Sequence, residues 1–273
     1  MKFLALPPKS DENIGLSASA GMFNPTKGDK NHMKKTIAYG IAGVFAVAIA
    51  NAGDSKGVVE TAPVAVEEPL GGTISSGYMT NYIFYGVDFG GNAVWTGVDY
   101  AVAGTPLSVG VWYINPTDGL LDDELDVYAS VGQEIAGFDV SATMTGYFFP
   151  DSGGDATYEL GLGVGRSLGI VDWNMTARYD FEIEGWYFET GVSKGFAVSD
   201  SIELVLSTGI SYQVDYHTAG GDFNHVYVMA ALPIALSSNV TLEPYVAGLF
   251  ALDAIDAFQD DTIHGGVSLS VSF

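Results

Sequence analysis

From residue 72 onward, apolar side chains recur at every second position over stretches of about ten residues, which is the period of a strand and not of a helix. Leu107, Val109, Val111 and Tyr113 alternate with small or polar neighbours, as do Leu125, Val127, Ala129 and Val131, and Tyr158, Leu160, Leu162 and Val164. The pattern predicts twelve strands at 74–88, 93–102, 106–115, 123–134, 137–149, 157–167, 170–183, 185–195, 201–214, 223–234, 239–251 and 262–273. The first and tenth have no clear phase.

The connections differ by side. Those at 103–105, 135–136, 168–169, 196–200 and 235–238 are short, whereas 116–122, 150–156, 215–222 and 252–261 are longer and rich in Asp and Gly. Short turns on one side, long loops on the other and an even strand number are the requirements of an up-and-down antiparallel barrel spanning a membrane. The exceptions are 89–92 and the tight turn before Gly185, both on the long-loop side.

Charge tests this reading, because an Arg or Lys on the lipid face at mid-membrane costs about 2–4 kcal/mol. Asp99, Asp126, Asp139, Glu159, Asp172, Arg178, Asp180, Glu182, Glu189, Glu203 and Glu243 all fall opposite the apolar series, so they are expected to line the lumen. Arg166 and Lys194 share the apolar face but sit at short-turn ends, where long cations reach headgroups. Phe138 and Phe148 lie ten residues apart on one face, roughly 25 Å along the membrane normal, the height of an apolar band between aromatic girdles. Tyr113, Phe148, Phe181, Trp186, Tyr212 and Phe250 are assigned to the outer girdle. Phe138, Trp173 and Phe273 are assigned to the inner one.

Composition narrows the partners. Lys and Arg number 10 against 33 Asp and Glu, a balance that excludes a nucleic-acid footprint. The chain has no cysteine, so it carries neither a disulfide framework nor a thiolate metal site, and no cofactor motif stands out. From Met33, "MKKTIAYGIAGVFAVAIANA" has the layout of a secretory signal peptide, residues 33–52. Residues 1–32 then read as an extension ahead of the true start, 53–71 as a flexible periplasmic leader, and 72–273 as the barrel. Processing would leave Lys56, Arg166, Arg178 and Lys194 as the only Lys and Arg. An exported, anionic, membrane-spanning barrel is the expectation.

The chain closes on "GGVSLSVSF", a finished strand ending on Phe273. A terminal Phe after alternating apolar residues resembles the signal read by the outer-membrane barrel-assembly machinery, which implies a Gram-negative type of envelope. "SGYMTNYIFYGVDFGG" at 76–91 with "AVWTGVDY" at 93–100 is similar to the opening hairpin of the TorF-like porin family. Tyr78, Tyr82, Phe84, Gly86, Gly97, Asp99 and Tyr100 carry the match, and Tyr85 stands where that family has Arg. The resemblance implies a class of channel and no particular substrate.

Twelve strands lie between the eight whose interior side chains fill and the sixteen that leave a wide channel. A narrow, partly filled pore follows, and an acidic wall concentrates cations. The leading expectation is therefore passive diffusion of small solutes with cation preference, the exterior being in contact with lipid and lipopolysaccharide. Two alternatives remain open. Asp215, His217 and His225 in "SYQVDYHTAGGDFNH" could form an acid/base site at the outer rim, and the acidic loops "DGLLDDELD" and "DAIDAFQDD" could hold divalent cations in a structural barrel. "GRSLG" at 165–169 matches a nucleophile elbow only in letters, since Ser167 falls in a hairpin turn with no helix after it.

Overall fold

A computed structural model describes residues 71–117, 122–151 and 155–273. The expected extension, signal peptide and nearly all of the leader lie outside them. The described chain contains fifteen strands. They are β1 (Gly72–Met79), β2 (Tyr82–Phe84), β3 (Val87–Gly90), β4 (Ala93–Ala101), β5 (Leu107–Pro116), β6 (Glu124–Ile135), β7 (Phe138–Phe148) and β8 (Thr157–Ser167). They continue as β9 (Asp172–Asp180), β10 (Gly185–Ala197), β11 (Glu203–Val214), β12 (Gly221–Ala231), β13 (Ile234–Ala235), β14 (Val240–Ala251) and β15 (Thr262–Ser272).

Twelve of these strands form one closed antiparallel barrel. Each long strand pairs with its neighbour in sequence, β12 pairs with β14, and β15 returns to β1. At that last seam Phe273 and Gly72 exchange backbone hydrogen bonds, 2.9 and 3.1 Å, so the final aromatic residue completes the cylinder. Among the described residues the barrel has no open edge, as a lipid environment requires. The lipid-facing series predicted from alternation is the exposed one: Val109, Val111, Val127, Val131, Leu160 and Leu162 all point outward. Arg166 and Lys194 also face outward, lying over the rings of Phe138 and Phe196 at 4.9 and 5.4 Å. This is a membrane-spanning exterior.

Three boundaries differ from the sequence reading, each for a physical reason. The predicted first strand, 74–88, ends at Met79, and residues 80–92 fold inward as a small hairpin of β2 and β3. The exception at 89–92 thereby disappears, because the first outer connection is long after all. The tenth segment lacked phase because β12 carries a bulge. Ile210 pairs with Val226 and Tyr212 with Phe223, so Asn224 and His225 together oppose Ser211 and both are buried. Finally, Glu182, assigned to the lumen wall, lies in the turn between β9 and β10 and is exposed. Extending alternation past Asp180 carried the strand parity into a turn.

Candidate functional site

The lumen divides along the membrane normal. Its outer half is filled by the β2–β3 hairpin, and alternation explains how the wall receives it. Inward positions of β4 and β5 present Ala93, Trp95, Trp112 and Ile114, which with Met79 and Tyr82 make a buried apolar cluster inside the cylinder. Val87 of the hairpin packs on Ala254 and Ile255 of the loop joining β14 to β15. Gln259 of that loop donates from Nε2 to the Gly86 carbonyl at 2.5 Å and accepts the Asp88 N–H at 2.9 Å.

The hairpin turns on two residues, Tyr85 and Gly86, with φ of 48° and 83° between the paired Phe84 and Val87. Positive φ at both central positions is the signature of a type I′ turn, whose twist suits two short strands. Glycine is required at the second position for a further reason. A Cβ on Gly86 would lie 2.2 Å from His225 Nδ1 and 2.3 Å from Asn224 Oδ1.

Tyr85 reaches the charged centre of the lumen. Glu159 of β8 accepts from Arg178 of β9 at 3.1 Å and from Tyr85 O–H at 2.8 Å and Tyr147 O–H at 3.2 Å, all at Oε1. Its Oε2 accepts from Tyr216 O–H at 3.0 Å. Both side chains of the ion pair are withdrawn from water, so the attraction between them is little screened, and the three hydroxyls complete the solvation that water would supply. Tyr216 belongs to the 215–220 loop, which Gln213 organises by accepting the N–H groups of Tyr216 and His217 at 2.8 Å each. His217 Nε2 lies 3.1 Å from the Tyr85 carbonyl, which can only accept, so Nε2 carries the proton. Burial lowers its pKa to about 4.

The inner half is different. Asp99 and Glu134 are exposed, Asp139, Asp172 and Glu203 half-buried, and Glu243 buried, all on lumen-facing positions near the short-turn end. Asp99 accepts from Tyr128 O–H at 2.6 Å. Asp126, Glu159, Arg178, Asp180 and Glu189 belong to the outer half, where Tyr187 donates to Glu189 at 2.7 Å. Arg178 is the one Arg or Lys on the lumen face among the described residues. Sequence reasoning missed Glu124, which accepts Tyr82 O–H at 2.6 Å, and Glu134, which pairs across the strands with Asp139. Both keep the parity of Asp126 and lie within the predicted strand 123–134, so parity followed along its whole length finds them.

The aromatic residues assigned to the girdles differ in exposure. Trp186, Phe181, Phe250 and Phe273 are exposed, while Tyr113, Phe138, Phe148, Trp173 and Tyr212 are half-buried against neighbours on the same surface. The rim histidines are placed otherwise than an acid/base pair needs. His225 is fully buried, with Nδ1 2.8 Å from both Ser211 Oγ and Asn224 Oδ1, while Asp215 accepts the Gly220 N–H within its own turn at 2.6 Å. Asp261 accepts the Ala251 N–H at 3.0 Å. Among the described residues no group of three or more His, Asp or Glu converges as metal ligands would.

No protein-family model matches the chain, and no curated protein matches it. Solved structures do. The KdgM porin superposes with a TM-score of 0.52 at 10% identity, covering 74% of this chain and 99% of the porin. A second KdgM structure, in complex with disordered oligogalacturonate, gives 0.52 at 8% identity over the same shares. The NanC porin in a rhombohedral crystal form matches at 0.47 and 11% identity, covering 74% and 98%. At such identities the likeness is one of fold. A closed twelve-stranded barrel with an apolar exterior is the outer-membrane architecture, and it locates this chain in such a membrane.

Proposed function

We propose that the protein is a porin-like channel through which small solutes diffuse passively, cations in preference to anions. The observation that carries this reading is the sign of the lumen wall. Carboxylates face inward along its whole height, and the only inward Arg or Lys among the described residues, Arg178, is engaged by Glu159. A wall of one sign within low-dielectric surroundings raises the local concentration of counter-ions and repels co-ions. The KdgM fold likeness supports the channel class, and the similarity of residues 76–100 to the TorF-like opening hairpin points the same way. The chain is read as a non-enzyme, since His217 Nε2 is held by the Tyr85 carbonyl and His225 Nδ1 by Ser211 and Asn224 within the bulge. Its partners on this reading are lipid and lipopolysaccharide outside, small solutes within, and the assembly machinery at Phe273.

The β2–β3 hairpin makes the outer half the narrow part of the path. The test is conductance of the refolded barrel in planar bilayers, with the reversal potential read under a potassium chloride gradient. Cation selectivity is expected. An anion-selective current, or a barrel that inserts and passes no ion, would overturn the proposal.

A further inference from the structure

Tyr85 occupies a cradle built, apart from its hairpin neighbour Phe84, by the wall and the loops over it. Its ring stacks on Tyr187, centroids 4.4 Å and planes 21° apart, and meets Tyr216 edge-on at 5.5 Å. The Arg178 guanidinium lies 5.3 Å from its centroid, and Glu159 accepts its hydroxyl at 2.8 Å. Tyr85, with Phe84, comes from a segment continuous with the barrel only at its two ends, β1 and β4. It also holds φ of 48°, unfavourable for a bulky side chain, so part of the docking free energy is offset by backbone strain. Without the tyrosine, the cradle would present an aromatic stacking face, a cation for the ring's π-face and a carboxylate where a ring hydroxyl would fall.

We infer that this cradle is a binding site for small phenol-like aromatic solutes, occupied in cis by Tyr85, and that such a solute binds by displacing the hairpin tip. The inference rests on the channel reading for its consequence, which is that an aromatic solute loosens the obstruction in its own path. Aromatic character is the selective feature. Stacking and cation–π attraction both act on the ring quadrupole, which a saturated ring lacks. A phenol on a flexible tether competes at an effective concentration on the order of millimolar, and the hairpin's other contacts raise it, so a free phenol must reach at least that range to displace the tip.

The experiment uses the full barrel and p-cresol, which is the tyrosine side chain itself, with 4-methylcyclohexanol as the saturated counterpart. Binding is measured by saturation-transfer NMR in micelles, with Tyr85→Trp as the reference for partition into detergent. Tyr85→Ala, with the cradle vacated, is expected to bind p-cresol at least about tenfold more tightly than the wild type, as removal of a tethered competitor predicts. It should leave 4-methylcyclohexanol unbound. In the wild type, millimolar p-cresol should open the Phe84–Tyr85 segment to chymotrypsin, and the saturated ring should not. Equal p-cresol binding by wild type and Tyr85→Ala, equal binding of the two rings, or unchanged proteolysis would each overturn the inference. If Tyr85→Ala does not reach the heat-modifiable folded form, Tyr85→Phe serves: it keeps the ring and loses the bond to Glu159, and must bind p-cresol more tightly than the wild type. A barrel that binds p-cresol and passes no ion would sink the channel reading and leave the ring site standing.

Discussion

The two halves of the lumen are built from the same alternating strands and end in opposite chemistry. In the outer half, three inward carboxylates receive donors: Glu159 from Arg178 and three tyrosines, Glu124 from Tyr82, Glu189 from Tyr187. In the inner half, Asp99 accepts the Tyr128 hydroxyl yet stands exposed, as does Glu134, and Asp139, Asp172 and Glu203 are half-buried, on a wall that carries no Arg or Lys among the described residues. The difference teaches that wall charge alone does not define a pore. A carboxylate enclosed by an inward hairpin becomes part of a core, whereas one in the open half keeps its charge closer to water. One end of this cylinder is packed like a protein interior, and the other keeps its field.

The largest expected effect lies in the packed half. Arg178→Ala leaves Glu159 buried with tyrosine hydroxyls as its only donors, and unfolding in urea from lipid vesicles should show a loss of about 3–5 kcal/mol. Replacing both members, as Glu159→Gln with Arg178→Met, should cost less than Arg178→Ala. Equal losses would show that the pair is not the core of that half.

Next in size is acid. His217 faces the Tyr85 carbonyl, the Tyr216 ring and His225, and its pKa of about 4 lies below the ordinary value of about 6.5. Protonation therefore favours the undocked loop. Docking of the hairpin should be strongest above about pH 6.5, weaken as pH falls towards 4, and level off below, losing at most about 3 kcal/mol from this group. Hydrogen exchange of the 80–92 amides against pH measures it, and His217→Gln should make the profile shallower.

Gly86→Ala should follow, costing about 1–3 kcal/mol in strain and contact with Asn224 and His225, and raising conductance if the tip is forced out. The smallest effect belongs to the open half. Asp99→Asn with Asp172→Asn should leave stability nearly unchanged, within about 0.5 kcal/mol per site, while moving the reversal potential towards zero. A large loss of stability there would erase the contrast between the halves.

Much of the barrel was legible because a membrane imposes strict alternation. Buried Glu159, for instance, stands between the exposed Tyr158 and Leu160, the alternation that parity reads. The bulge at Asn224–His225 and the inward turn at Tyr85–Gly86 were not legible. Both interrupt the period of two, and both are stabilised by residues far away in sequence, Ser211 for the first and Glu159 for the second. A local signal existed for the hairpin. Tyr85–Gly86 between the apolar Phe84 and Val87 suits a two-residue turn, and thirteen residues separate Met79 from Ala93. Nothing local marks Gln213 or Gln259, whose roles arise only when loops meet over the lumen.

The most direct test of the division is single-channel recording of a barrel in which residues 81–91 are replaced by a short Gly-Ser turn. A conductance well above that of the wild type, with cation selectivity retained, is what an occluded outer half and a selective inner half require. Unchanged conductance, or selectivity lost together with the hairpin, would contradict the account.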